Sequence, residues 1–277
     1  MDRGDTGVGP VEFVPLPERG RVYRTSRRVH LGDVGEDGRL RLEAVARFLQ
    51  DAATDDADDA ELADGRGVWV VRRVDLEIID RPHYHEHVDL ATFCSGTGPR
   101  WAERRTRMTG RSGVLVEAVS LWVFIDGAGG RSLPLDDDFH RRFGESAGGR
   151  RVSGRLRHRP PPAECPRRTW PLREGDFDVL NHVNNARSLE AIEDEMAARI
   201  PGTRPVRAGV EYRGALERGD AVELASEVVG VGPSGKELSV WLLTGGEVRI
   251  SAVVTTGPIE LRSALGDPQG LDHEIGG

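Results

Sequence analysis

The chain has 277 residues, enough for two modest domains with buried cores. With 38% apolar and 30% charged residues and a formal net charge of −8, it has the composition of a globular protein and excludes collagen and coiled coil, while the acidic balance disfavours nucleic acid. Its longest apolar runs, Val68 to Val71 and Leu121 to Ile125, fall far short of the roughly 18 to 20 residues that a membrane-spanning helix needs.

In chain order, residues 1–20 are polar and rich in Gly and Pro and read as disordered. A helix is expected from Leu40 to about Ala63, because Leu42, Val45, Phe48, Leu49, Ala52 and Ala53 keep a 3.6-residue period. Strands rich in Val, Trp, Phe and Thr follow at Trp69–Ile79, His87–Gly96, Trp101–Thr109 and Val114–Ile125. Residues 141–168 carry nine arginines against Glu145 and Glu164, together with Pro160-Pro161-Pro162, and read as an extended, solvated linker. A short strand, Thr169–Leu172, leads to a second helix marked by Leu189, Ile192, Met196 and Ile200, with Asn184 or Asn185 as cap and Pro201-Gly202 as stop. Strands at Val206–Tyr212, Ala221–Val229, Lys236–Leu243 and Val248–Ile259 complete the second set, and 263–277 reads as a disordered tail.

Self-comparison explains this order. At an offset of 134 residues Arg73 falls on Arg207, Glu77 on Glu211, Val88 on Val222, Leu90 on Leu224, Gly98-Pro99 on Gly232-Pro233 and Val119 on Val253. The chain therefore holds two copies of one unit, 21–140 and 169–262, each a helix followed by antiparallel strands. A curved sheet wrapped around the helix is the simplest packing, an α+β layout. Two such sheets joined edge to edge would make an intrachain pseudo-dimer.

Chemistry concentrates in Arg173-Glu174-Gly175-Asp176-Phe177-Asp178-Val179-Leu180-Asn181-His182-Val183-Asn184-Asn185, between the short strand and the second helix. A carboxylate four residues before a histidine can orient that histidine or a water, and unpaired N–H groups at a helix entry stabilise developing negative charge. The same residues could also serve only as turn and cap formers. Placing Asp33 on Asp176 sets Gly35 at the position of Asp178 and Arg39 at that of His182. The first copy thus keeps the fold without the chemical groups, which points to a catalytic second unit and a first unit for binding or support.

The Asp178-Val179-Leu180-Asn181-His182-Val183-Asn184-Asn185 run, with Trp69-Val70-Val71-Arg72-Arg73 and Trp101-Ala102-Glu103-Arg104-Arg105, resembles the acyl-acyl carrier protein thioesterases, the plant-type family and its bacterial relatives. The resemblance covers about residues 22 to 262. It implies two tandem hot-dog units, an acyl chain held chiefly by the first, and hydrolysis of the fatty acyl thioester on a carrier protein, ending fatty acid synthesis. It places the catalytic acid and histidine on Asp178 and His182, while the family's intervening Asn falls on Leu180, leaving Asn181 as the neighbouring substitute. A further family acid falls on Ala215. Asp178 would act as general base or as nucleophile, and the amides near Asn184 and Asn185 would polarise the thioester carbonyl. The acidic carrier protein is the expected partner, with the Arg-rich linker as a docking candidate. A non-catalytic acyl- or carrier-binding module, an acyl-CoA thioesterase and a hot-dog hydratase are the alternatives.

Cys94 and Cys165 are too few for a disulfide scaffold or a four-thiolate zinc site. The histidines of His83-Tyr84-His85-Glu86-His87 could share a strand face, but the second copy has Glu217-Arg218-Gly219-Asp220 there, so no metal and no other cofactor is expected. Met1-Asp2-Arg3-Gly4-Asp5 leads into no apolar stretch, so the expected location is the cytoplasm, as monomer or homodimer.

Overall fold

The computed structural model describes residues 11–62, 67–127, 130–230 and 235–258. Its elements are β1 (Tyr23–Arg28), α1 (Leu42–Asp59), β2 (Gly67–Ile78), β3 (His87–Thr97), β4 (Trp101–Gly110), β5 (Gly113–Asp126), α2 (Asp137–Ala147), β6 (Arg167–Thr169), α3 (Ser188–Arg199), β7 (Thr203–Tyr212), β8 (Val222–Gly230), β9 (Lys236–Thr244) and β10 (Glu247–Pro258). The strands form one antiparallel sheet in the order β1-β3-β4-β5-β2-β7-β10-β9-β8-β6. The two halves of that order mirror each other about the β2–β7 pair, as two hot-dog units joined edge to edge require.

The repeat itself explains the join. In the β2–β7 ladder Arg73 lies opposite Glu211, Glu77 opposite Arg207 and Asp75 opposite Gly209. Arg73 and Arg207 are repeat equivalents, as are Glu77 and Glu211, so each basic residue faces the acidic equivalent in the other copy. Such self-complementarity is what a two-fold interface selects. Asp75 meets its own equivalent, which puts the pseudo-two-fold axis there.

Alternation along the strands separates two faces. Leu76, Ile78, Ala208, Val210 and Tyr212 point inward and share one core with Leu42, Val45, Phe48 and Ala52 of α1 and Leu189, Ile192 and Met196 of α3. Burying each large apolar side chain contributes roughly 1.5–3 kcal/mol. The core therefore joins the units as firmly as the sheet does.

Arg73, Asp75 and Glu211 point to the opposite, outer face. The linker expectation needs correction in two parts. Residues 137–147 form helix α2, capped by Asp136, whose Oδ1 accepts the Phe139 N–H at 2.8 Å. Phe139, Phe143 and Ala147 then cover the first unit beside Cys94 and Ala102. Beyond it the chain is extended, as expected, yet it is tied to both units. Trp101 Nε1 donates to the Val152 carbonyl at 2.9 Å, Arg73 Nη1 to that of Arg155 at 3.0 Å, and Trp241 Nε1 to that of Arg159 at 2.8 Å. The fully buried Glu211 carboxylate accepts the N–H groups of Arg157 and His158. A buried charge requires such donors, so the strap is part of the fold.

Three smaller differences follow. The short strand before the second helix is Arg167–Thr169, displaced toward the N-terminus from the expected Thr169–Leu172. Of the N-terminal segment read as disordered, residues 11–20 pack: the Arg105 guanidinium lies 5.0 Å from the Phe13 ring centre, and Gly20 sits so close to α2 that a Cβ would fall 2.3 Å from the Ser146 nitrogen. Residues 1–10, Ala63 at the expected end of the first helix and 263–277 lie outside the described residues. Among the described residues no helix is long and apolar enough to cross a membrane.

Candidate active site

The loop from β6 to α3 folds back on itself through its own polar groups. Asp178 N–H donates to the His182 carbonyl at 2.9 Å, and Asn181 N–H to the Asp178 carbonyl at 2.9 Å. Phe177 and Val183 close this turn as an antiparallel bridge. Its tip needs left-handed backbone, which Asn181 supplies with φ +60°. Asp178 Oδ1 accepts the N–H of Leu180 at 2.9 Å and of His182 at 3.4 Å, so two amides orient the carboxylate. Val183 N–H donates to the Leu216 carbonyl at 2.9 Å and His182 bridges Glu217, which fastens the loop to the connection after β7.

From the turn the chain enters α3. Asn184 Oδ1 accepts the Ala186 N–H at 2.9 Å. The Asn185 carbonyl takes the hydroxyls of Ser188 at 2.6 Å and Tyr212 at 3.0 Å, so the peptide planes at the helix entry are fixed. Among the described residues the Asn185 N–H donates to no protein acceptor. A fixed, unpaired N–H at a helix entry is a site for negative charge.

The first unit repeats this geometry step by step. Gly35 N–H donates to Arg39 O as Asp178 does to His182, Gly38 takes φ +68° where Asn181 takes φ +60°, and Arg39 bridges His83 as His182 bridges Glu217. The backbone register thus matches the equivalence of Gly35 with Asp178 and Arg39 with His182. On the same register Leu42 corresponds to Asn185, and its N–H is taken by Glu193 Oε1 at 2.7 Å. One helix entry is closed by a carboxylate and the other is open.

The first unit holds an apolar cavity of about 180 Å³ walled by Ala53, Ala57, Leu62, Trp69, Trp122 and Phe139. Its position relative to the loop follows from the sheet. Trp122 is the ladder partner of Val71, Arg72 Nη1 donates to the Arg213 carbonyl at 3.1 Å, and Tyr212, the preceding residue, holds Asn185. A chain of neighbouring residues, Trp122, Val71, Arg72, Arg213 and Tyr212, thus links one cavity wall to the α3 entry.

Of the residues singled out in the sequence, Asp178, His182, Asn184 and Asn185 gather in this loop. Asn181 lies at the exposed tip with its side-chain oxygen accepting from Arg218 Nε at 3.2 Å, and Leu180 is 54% exposed beside it. No carboxylate stands at Ala215. Glu217, two residues further, was missed: bridge partners project to one side of a ladder, so its side chain is a neighbour of His182. The signal was available in the alignment of Glu217 with His83. Among the described residues no group of three or more His, Cys, Asp or Glu side chains is arranged to hold a metal ion.

Comparison with known proteins defines the class. Residues 20–143 match the acyl-ACP thioesterase N-terminal domain and residues 161–250 the C-terminal domain. The solved 12:0-ACP thioesterase from Umbellularia californica superposes with a TM-score of 0.71 at 18% identity, covering 86% of this chain and 94% of that one, which shows the shared fold. The chain belongs to the acyl-ACP thioesterase family. It is 29% identical over 216 residues to an uncharacterised protein of Mycobacterium tuberculosis, covering 78% of this chain and 86% of that protein. To a chloroplastic acyl-acyl carrier protein hydrolase of Cuphea viscosissima it is 24% identical over 239 residues, covering 78% of this chain and 57% of that one.

Proposed function

We propose that the chain hydrolyses fatty acyl-carrier protein thioesters to free fatty acid and carrier thiol, with one reaction centre at the entry of α3. The observation that carries this reading is the unpaired Asn185 N–H beside a turn that presents Asp178 and His182. Asp178 Oδ1 is occupied by two amides, so Oδ2 takes a proton from water as the water oxygen bonds to the thioester carbon. The carbonyl oxygen becomes an oxyanion facing the Asn185 N–H. Collapse of the intermediate breaks the carbon–sulfur bond, and His182 gives its proton to the departing thiolate.

Asn184 shapes the α3 entry through Ala186, and Asn181 makes the left-handed tip that lets the turn close. Glu217, whose backbone bridges that of His182, orients the histidine. The cavity between α1, α2 and the first sheet takes the acyl chain, since its walls are largely apolar and aromatic side chains such as Ala57, Leu62, Trp69, Trp122 and Phe139. Release of thiol from acyl carrier proteins of graded chain length tests the reading, with acyl-CoAs alongside. Faster turnover of the carrier thioesters supports it, and folded protein that releases no thiol from any substrate removes it.

A further inference from the structure

Three arginines converge where β7 leaves the sheet. Arg213 N–H and Gly214 N–H both donate to the Arg249 carbonyl, at 2.7 and 3.2 Å, and Arg72 Nη1 donates to the Arg213 carbonyl at 3.1 Å. The Arg249 guanidinium packs on Gly214 so closely that a Cβ there would stand 3.0 Å from Nη1. These contacts gather the Arg72 and Arg249 guanidinium groups about the Arg213–Gly214 backbone, while Arg213 Nη2 is taken by the His158 carbonyl at 2.9 Å. Glu211 pairs with Arg213 at 2.8 Å but is already spent on the Arg157 and His158 N–H groups, and exposed Glu247 reaches Arg249 only at 3.4 Å. Arg72 makes no ion pair with any described carboxylate, and Arg249 Nε is buried with no acceptor at all. Burial, and after it the charge of Arg213, hold the Arg72 guanidinium below its ordinary range, against the opposing pull of Glu211. A buried donor without a partner is rare in a native fold, and Arg249 Nε has room to take an anion's oxygen or a water.

The position is equally specific. Only Gly214 and Ala215 separate Arg213 from Leu216, whose carbonyl holds Val183, and the next residue, Glu217, bridges His182. Three residues span at most about 11 Å of backbone. The cluster therefore flanks the reaction loop from the outer side of the sheet, whereas the apolar cavity lies on the inner side.

We propose that Arg72, Arg213 and Arg249 form a phosphate-binding site that takes the phosphate of the pantetheine arm carrying the acyl thioester. Guanidinium forks match phosphate oxygens in charge and geometry. The arm then runs past Ala215, where a small side chain leaves passage, to set its thioester at Asp178, His182 and Asn185. The identity of the anion rests on the thioesterase reading, while the site itself does not.

The test measures kcat/KM for acyl-phosphopantetheine and for acyl-pantetheine with wild type, Arg72→Gln and Arg249→Gln. The wild type prefers the phosphorylated substrate, and each substitution reduces that preference about ten- to a hundredfold through KM, the loss expected for a hydrogen bond to a charged group. Arg249→Lys, which keeps the charge, recovers part of it. An unchanged preference overturns the proposal, and so does a loss seen with acyl carrier protein but not with acyl-phosphopantetheine, which would place the contact on the carrier's own carboxylates. Calorimetric titration of the wild type with phosphopantetheine and pantetheine covers variants that fail to fold and an enzyme that hydrolyses none of these thioesters. Tighter, salt-sensitive binding of phosphopantetheine supports the site, and equal affinity overturns it.

Discussion

The Glu193 carboxylate of α3 accepts the backbone N–H of Leu42 at the entry of α1, at 2.7 Å. By the pseudo-symmetry this is the position at which Asn185 N–H stands open in the second unit. Glu193 therefore fills, with the protein's own anion, the place where a thioester oxyanion would sit in the first unit, and Gly35 and Arg39 remove the acid and the histidine. On the proposed reading the chain has two helix entries and one reaction centre.

Glu193 should leave a mark on stability against pH. Burial raises its carboxyl to about 6 from an ordinary 4.5, against the opposing pull of the Leu42 and Glu43 N–H groups and of Arg81 and Arg41. A raised carboxyl binds its proton more tightly in the folded state. Its contribution is complete below 4.5, fades between 4.5 and 6, and above 6 the ionised group costs about 2 kcal/mol. Glu193→Gln, which keeps an acceptor for Leu42, is expected to be up to about 2 kcal/mol more stable than wild type at pH 8, with the difference gone below pH 4.5. Urea melts at several pH values measure this, and a destabilisation independent of pH would contradict it.

Asp56 is a buried carboxylate held by two arginines. It is fully buried at the end of α1 and pairs with Arg21 Nε at 2.6 Å and Arg104 Nη1 at 2.6 Å. Asp56→Ala leaves two cations facing an uncompensated site and should cost about 3–5 kcal/mol, read as a lowered Tm. Unchanged melting would mean that the arginines find other acceptors.

Glu217 is expected to act through His182. Glu217→Gln should lower kcat about tenfold with KM little changed, and Glu217→Asp should recover part of the loss. A rate unchanged by Glu217→Gln would remove Glu217 from the site.

On the proposed reading the cavity sets acyl length. Ala57→Phe places a ring into the space walled by Trp69, Trp122 and Phe139 and should shift the preferred substrate to shorter chains. Competition among acyl carrier proteins of graded length reads the shift, and an unchanged order of preference would locate the acyl chain elsewhere.

The repeat made the architecture legible, because Arg73, Glu77 and their equivalents are kept by the self-complementary β2–β7 ladder. The gathering of Asp178, His182, Asn184 and Asn185 in one loop is legible in the sequence through their absence from the first copy. Residues 141–168 were not, since arginine content signals solvation only when carboxylates are out of reach: Arg168 lies 2.5 Å from Glu195, and Glu211 draws the strap down by its backbone. Asn181 reads in the sequence as the neighbouring substitute for the family amide, and its left-handed backbone is hidden there because side-chain type carries no record of φ. Glu217 escaped notice because its partner is set by a bridge between distant segments, which spacing along one strand cannot reveal.

The central claim is one reaction centre built on Asp178. Thiol release from acyl carrier proteins by wild type and Asp178→Asn tests it most directly, since Asn keeps an acceptor for the Leu180 and His182 N–H groups while it cannot take a proton. The account predicts that kcat falls about 10²–10⁴-fold with KM little changed. Turnover by Asp178→Asn at the wild-type rate would place the chemistry elsewhere in the chain.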